Sequence, residues 1–331
     1  HNLLSNTKFS ARIYEKIKQW DLSHMENISG LFSGTPISSF DLSNSNIQAK
    51  NISKLFAGCK SLTTLNLDNV VSMKTENISE LIRGCSKLTK LSMKNWDSSN
   101  VTNMDSVFEG TTSLDGIDIS SLDMSSVKRA NKMFYQAGAK SITLGCENTW
   151  GKMHQAMKMF ADCDNLRSLS FHNADLSSIK SEFDNTHTDA TDNTLIGNSC
   201  KINGFISNCD NLTSITIDGM KIGGDCMIDT FSCNKKLQTV VLKNINAENI
   251  TAFSKTFYNC SELTSLDLSD INFGTLTNTN QMVLGCSKLQ SINLSGLDFS
   301  AVKTKDFGFD TCSKLNTIIC PDKAPKNVYL Y

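Results

Sequence analysis

The apolar positions of this chain fall into two rhythms that alternate and return at a fixed distance. Leu114, Ile117 and Ile119 end in strict alternation, the pattern of a half-buried strand. Val101, Met104, Val107 and Phe108 lie three and four apart, which predicts one buried face of a short helix. Between the halves stands an apolar residue followed by Asp or Asn: Trp96-Asp97, Leu122-Asp123, Ala174-Asp175, Ile245-Asn246, Ile271-Asn272 and Leu297-Asp298. A short polar side chain that bonds nearby backbone suits the corner where a strand turns away. Val71 and Lys221 break that column, so it is a preference rather than a requirement.

The first leucine of the unit recurs as Leu62, Leu88 and Leu114, then as Leu237, Leu263, Leu289 and Leu315, 26 residues apart within each run. A constant period of this size marks a solenoid. An aromatic column follows the same period through Phe32, Phe56, Phe108, Phe134, Phe160, Phe231, Phe257 and Phe309. Three residues further on stands a cysteine column: Cys59, Cys85, Cys163, Cys260, Cys286 and Cys312, with Cys209 following Ile206. No single coil can close its own apolar edge, and stacking makes one shared core. The expectation is an α/β solenoid of about eleven coils of ~26 residues, with a parallel β-sheet on one face and short helices on the other.

Residues 1–19 fit the unit poorly, and Phe9, Ile13 and Ile17 suggest an amphipathic N-terminal cap helix. The solenoid is expected over 20–320, and residues 321–331 form a C-terminal tail or cap beyond Pro321. Leu166 to Leu212 spans 46 residues, which places a loop insertion at about 177–198. Asp184, Asp189 and Asp192 in that loop lack the ligand order and the glycine of a calcium loop, so a solvated loop is expected. The start at His1 is read as a processed or trimmed end.

A net charge of −1 with 20% charged residues gives no reason to expect nucleic acid or an acidic membrane surface as partner. No run is long and apolar enough to be a transmembrane segment. Most of the twelve cysteines sit in the repeat column, where Cys serves as a small buried hydrophobe. Cys200 and Cys226 fall at nearly equivalent places on successive coils, so one disulfide there is geometrically conceivable. Without a CxxC motif and with scattered histidines, neither a metal site nor a cofactor is expected. Eight Asn-x-Ser/Thr sequons (Asn27, Asn51, Asn77, Asn100, Asn211, Asn249, Asn259, Asn293) arise from the repeat's own composition.

The stretch Asn95-Trp96-Asp97-Ser98-Ser99-Asn100-Val101-Thr102-Asn103-Met104, followed by Val107-Phe108, resembles the BspA-like leucine-rich repeat of bacterial surface proteins. Phe257-Tyr-Asn-Cys260-Ser-Glu-Leu263-Thr-Ser-Leu266-Asp-Leu268 matches the same grammar, and the resemblance runs from Trp20 to Cys320. It implies an extracellular, cell-attached module, with some members acting as adhesins for matrix proteins or other microbes; similar repeats occur in some protozoan surface proteins. The family offers no catalytic residue to carry over.

Strand alternation sends one set of side chains onto the outer sheet face. The two outward columns start Ser39, Thr64, Lys90, Gly116 and Asp41, Asn66, Ser92, Asp118, and are small, polar and almost free of aromatics or Arg. The candidate ligand face is Asp41, Asn66, Asp68, Lys90, Lys94, Asp118, His172, Asp267 and Asn293. Interface hot spots favour Trp, Tyr and Arg, so weak, extended and multivalent contact with a protein or glycan is expected, made by a monomer. The alternative is a structural spacer that displays another domain. A polysaccharide-acting enzyme is the weaker reading: Asp41 and Asp68 should lie about 8 Å apart on neighbouring coils, inside the separation of an inverting carboxylate pair. Nothing in the sequence predicts a cleft around them, so a non-enzymatic module is expected.

Overall fold

The computed structural model describes residues 22–144, 153–172, 175–176, 204–223, 227–302 and 306–321. The cap helix, the insertion, its aspartates, the Cys200–Cys226 pair and all but Pro321 of the C-terminal tail lie outside the described residues.

The alternating half of each unit forms a strand of three to five residues, as at Ser39–Asp41, Thr64–Asn66, Lys90–Ser92 and Gly116–Asp118. Strands pair in parallel at equivalent positions: Ser39 with Thr64, Thr64 with Lys90, Ser265 with Ser291 and Ser291 with Thr317. The middle residue points inward in each case (Phe40, Leu65, Ile117, Leu266), and its neighbours point out. A second parallel sheet takes up the next side of the later coils, through Asp175–Leu176, Lys221–Ile222, Ile245–Ala247 and Ile271–Phe273. In the earlier coils a line of single parallel bridges runs Asn27, Asn51, Asn77, Asn103, Arg129, Gln155.

Two expectations are corrected. The first is the coil number: about nine turns are formed, not eleven. Among the described residues eleven strands lie in the first column, which leaves ten intervals between them, and Ser168 to Ser214 is 46 residues rather than one period (214−168). A strand only opens a turn, and the turn closes when the chain comes back one period later.

The second correction is the helical face. Among the described residues, regular helix is limited to a 3-10 turn at Phe309–Thr311. The segment from Ile52 to Cys59 shows what replaces it. Leu55, Ala57 and Cys59 donate N–H to the carbonyls of Ile52, Lys54 and Phe56, three residues back. The alternate amides of Lys54, Phe56 and Gly58 donate instead to Ser79, Leu81 and Arg83 of the next coil. Lys54 and Gly58 have φ of 57° and 69°, the left-handed conformation that a chain of β-turns requires and an α-helix forbids. The same pair returns at Glu80/Gly84, Ser106/Gly110 and Lys132/Gln136. A chain of turns buries residues three and four apart just as a helix does, so the apolar spacing could not separate them. Hydrogen bonding decided it: turning every second amide outward ties each coil to its neighbour.

The core is one column shared by all turns. Phe32 and Phe56 stack with ring centroids 5.3 Å apart, Phe108 and Phe134 at 5.2 Å, and Phe134 and Phe160 at 5.1 Å. Ile82, Ile206 and Val283 fill the spine where Phe is missing. Phe309 is only half-buried and stacks on Phe307, 5.4 Å away.

Each column thiol donates to the carbonyl of the spine residue one coil earlier: Cys59 to Phe32 at 3.0 Å, Cys85 to Phe56 at 3.1 Å, Cys286 to Phe257 at 3.1 Å. Where Asn234 replaces Cys, its amide reaches the carbonyls of both Ile206 and Phe231 at 2.9 Å. Burial pushes the thiols of Cys85 and Cys260 up to about 12, that of Cys312 to about 11, and raises Cys59 and Cys286 as well. Outside, ion pairs follow the same period, Lys54–Glu80 at 3.2 Å and Arg83–Glu109 at 3.0 Å.

Candidate functional site

Two surfaces offer themselves along the stack: the outer strand face and a trough one corner further along. On the strand face most candidate residues have a local duty. Asp41, Asn66 and Asp118 each accept, through Oδ1, the N–H two residues ahead, at 2.9, 3.0 and 2.9 Å. Asp267 accepts both the N–H and the hydroxyl of Ser269, at 2.9 and 2.7 Å, and Asn293 does the same with Ser295, at 3.1 and 2.8 Å. These side chains end the strand by replacing the ladder bond that the chain gives up as it turns. Hydrogen bonds from Ser269 hold the Asp267 carboxyl below the usual carboxylate range, with Asn293 adding to the effect.

Asp68 accepts the hydroxyl of Ser92 at 2.6 Å and the N–H of Lys94 at 2.7 Å, so one oxygen of this carboxylate is bound to the next coil. Asp41, Asn66, Asp68, Lys90 and Lys94 are brought together on three paired strands and their corners. Asp267 and Asn293 are register neighbours in another patch, and Asp118 belongs to a pair with Ser141–Thr143. His172 is in register with Asp218; its side chain lies outside the described residues. The corner Asp column has the same duty, since Asp97, Asp123 and Asp298 accept from Ser99, Ser125 and Ser300. So do the sequon residues Asn27, Asn51 and Asn77, which accept from Ser29, Ser53 and Ser79.

The trough was not anticipated. It holds about 690 Å³ and is lined by Lys50, Met73, Lys74, Glu76, Asn100, Thr102, Ser125, Ser126, Lys128 and His154. One lip is the column Lys50, Glu76, Thr102, Lys128, His154; the other is Lys74, Asn100, Ser126. Between them the inward column Ala49, Thr75, Val101, Val127, Met153 is fully buried, so backbone forms the floor. The hollow exists because short side chains at Thr102, Ser125 and Ser126 sit between long ones at Lys50, Lys74 and Lys128. Lys50 faces Glu76 at 3.9 Å, with both side chains more than half exposed. The signal was in the sequence, as one residue in every 26 along the lip, but strand alternation draws the eye to the other face.

Among the described residues no group of three His, Cys, Asp or Glu side chains is placed to hold a metal ion. Likewise no helix there is long and apolar enough to cross a membrane.

Three solved structures illustrate what the chain is similar to. A leucine-rich cell surface protein of Faecalibacterium prausnitzii A2-165 is 17% identical, with 86% of this chain and 83% of that one covered and a TM-score of 0.31. A leucine-rich repeat protein of Eubacterium ventriosum is 16% identical over 86% and 73%, with a TM-score of 0.35. An internalin of Listeria monocytogenes is 18% identical over 86% and 68%, with a TM-score of 0.31. Among curated proteins none matches this chain. The family model described as "Mycoplasma protein of unknown function, DUF285" matches residues 2–62, 50–173 and 225–323, so the chain belongs to that family.

Proposed function

We propose that this protein is a non-enzymatic recognition module of the BspA-like leucine-rich repeat type, working outside the cell at its surface as a monomer. Its ligand is a matrix protein, another cell's surface or a glycan, held by many weak contacts along the stack. The observation that carries the reading is the register of the outer strands, which sets identical outward positions side by side, as with Asp41–Asn66 and Asp267–Asn293. A face built from repeats suits an extended ligand, because each turn adds one more copy of the same contact. The named face residues are Asp41, Asn66, Asp68, Lys90, Lys94, Asp118, His172, Asp267 and Asn293; an N-terminal cap over 1–19, a C-terminal tail or cap over 321–331 and a loop at about 177–198 complete the proposed organisation. The test is the full chain on an array of matrix proteins and glycans, followed by Lys90→Glu with Lys94→Glu on any hit. A hit weakened by that pair supports the reading, and an empty array overturns it.

The inter-coil hydrogen bonding also favours a second reading, a stiff spacer that holds another domain away from the surface. Cells displaying a stalk of equal length in place of the repeats decide between the two. Adhesion kept means spacer, and adhesion lost means recognition.

A further inference from the structure

The trough concentrates charge that the chain as a whole does not have. Its lining carries Lys50, Lys74 and Lys128 against Glu76, an excess of two positive charges, whereas the whole chain sums to −1. Between the cations lie Asn100, Thr102, Ser125 and Ser126; Asn100 Nδ2 and the Thr102 and Ser126 hydroxyls donate to the carbonyls of Met73, Glu76 and Ser99, which leaves Asn100 Oδ1 and the hydroxyl lone pairs turned to a ligand as acceptors. Met73 is 63% exposed beside them, one of the few large apolar side chains left open to water among the described residues. Lys50 and Lys128 belong to coils three steps apart, about 14 Å at the usual strand spacing, so a single small anion cannot meet both.

The backbone of the lip from Lys50 to His154 decides what kind of chain fits. Glu76, Thr102, Lys128 and His154 donate their N–H groups to the carbonyls of Lys50, Glu76, Thr102 and Lys128, at 2.9, 2.8, 2.8 and 2.7 Å. A peptide entering by strand addition would need those amides. The lining holds no Phe, Tyr or Trp, and its single imidazole, His154, is too little for the row of stacked bases that usually anchors single-stranded nucleic acid. A hydroxyl-rich, repeatedly charged polymer needs neither, because it bonds to side-chain hydroxyls and amides, pairs with spaced ammonium groups and can lay the C–H face of a ring on a thioether.

We propose that the trough between residues 50 and 154 is a binding site for an acidic polysaccharide, with Lys50, Lys74 and Lys128 pairing successive anionic groups and Asn100 Oδ1 and the oxygens of Thr102, Ser125 and Ser126 accepting from the sugar hydroxyls. The inference rests on the recognition reading and gives that reading a ligand class and a second surface. Binding is electrostatic and exposed, so it weakens as ionic strength rises toward 0.15 M and beyond, where charges more than about 8 Å apart are screened. Affinity rises with oligosaccharide length until the chain spans from Lys50 to Lys128.

The test uses the full chain with heparin-derived oligosaccharides of graded length and, in a separate arm, polygalacturonate, so that sulfate and carboxylate sources are told apart. Wild-type protein binds at least one of them, and Lys74→Glu with Lys128→Glu weakens binding about tenfold or more. Lys60→Glu with Lys87→Glu, exposed lysines outside the trough, gives the same change of net charge and leaves binding within about threefold. Melting midpoints of both variants equal to wild type show that the fold is kept. Binding of neither polysaccharide at low salt overturns the proposal, as does an equal loss in both lysine pairs. Capture of polyglutamate or single-stranded DNA in place of the polysaccharides overturns it in favour of another polymer. A matrix-protein hit that Lys74→Glu with Lys128→Glu leaves intact, with no polysaccharide bound, removes the trough site and keeps the recognition reading; an empty array removes the reading itself.

Discussion

At the scale of the residue, the fold is written in backbone conformations that most side chains avoid. Ser106 has φ of 57°, and Gly110, four residues on, has φ of 67°. Left-handed geometry costs an L-residue about 1–2 kcal/mol, so Ser106→Gly should stabilise the protein by about 1 kcal/mol in urea unfolding. Gly110→Ala should destabilise by a similar amount. A Cβ at Gly110 would meet Gly84 Cα at 3.6 Å and Gly84 N at 3.7 Å, both ordinary contacts, so that loss isolates conformation from crowding. The carboxylates at the corners make a second case. Asp267 is held below its ordinary range by Ser269 and Asn293, so its contribution to stability is present above about pH 4 and is lost as pH falls through its native value. In Ser269→Ala the carboxyl carbon resonance of Asp267 should titrate at higher pH than in wild type; an unmoved midpoint would show that the bond contributes nothing.

At the scale of the element, the strand half was legible and the turn half was not, for a physical reason. Alternation at Phe40, Leu65 and Ile117 fixes which side of a strand faces the core, and the register follows from the period. Val101, Met104, Val107 and Phe108 satisfy helix and chained turns equally, because both put residues three and four apart on one side. The distinguishing signal was Gly58, Gly84 and Gly110 recurring two residues after the spine position, where a helix would lose about 1 kcal/mol to each glycine. Of the candidate face, the outward direction could be read, but the duty of Asp41 and Asn66 in closing their own corners could not, since Asp and Asn serve ligands and turns alike. The spine carries the largest single contribution. Phe108 is fully buried against Phe134, so Phe108→Ala should cost about 3–5 kcal/mol, read from denaturant midpoints at unchanged slope. The thiol column adds a pH dependence of the opposite sense to that of the carboxylates. Folded pKa values stand above the unfolded value of about 8.5, so the contribution is whole below that pH and is lost as pH rises toward 11 and 12. Ala137 already occupies one column position, which makes Cys85→Ala with Cys260→Ala a fair variant. Its melting midpoint should fall less between pH 8 and pH 10 than that of wild type.

At the scale of the whole molecule, hydrogen bonds and rings both run along the stack, so the period is the unit of change. Removing residues 90–115, one full period, keeps strand facing strand, and circular dichroism should retain its shape with a lowered melting midpoint. Removing 13 of them should abolish the cooperative transition. The caged thiols bear on the moment of folding. Among the described cysteines only Cys320 is exposed, while Cys59, Cys85, Cys163, Cys209, Cys260, Cys286 and Cys312 are sealed inside. Once native, the seven column thiols should ignore oxidants that would crosslink them in a nascent chain, while Cys320 and the half-buried Cys233 stay open to attack. A chain of this kind has to finish coiling before its surroundings turn oxidising, and refolding yield in oxidised glutathione should drop while the column thiols of prefolded protein are left unmodified.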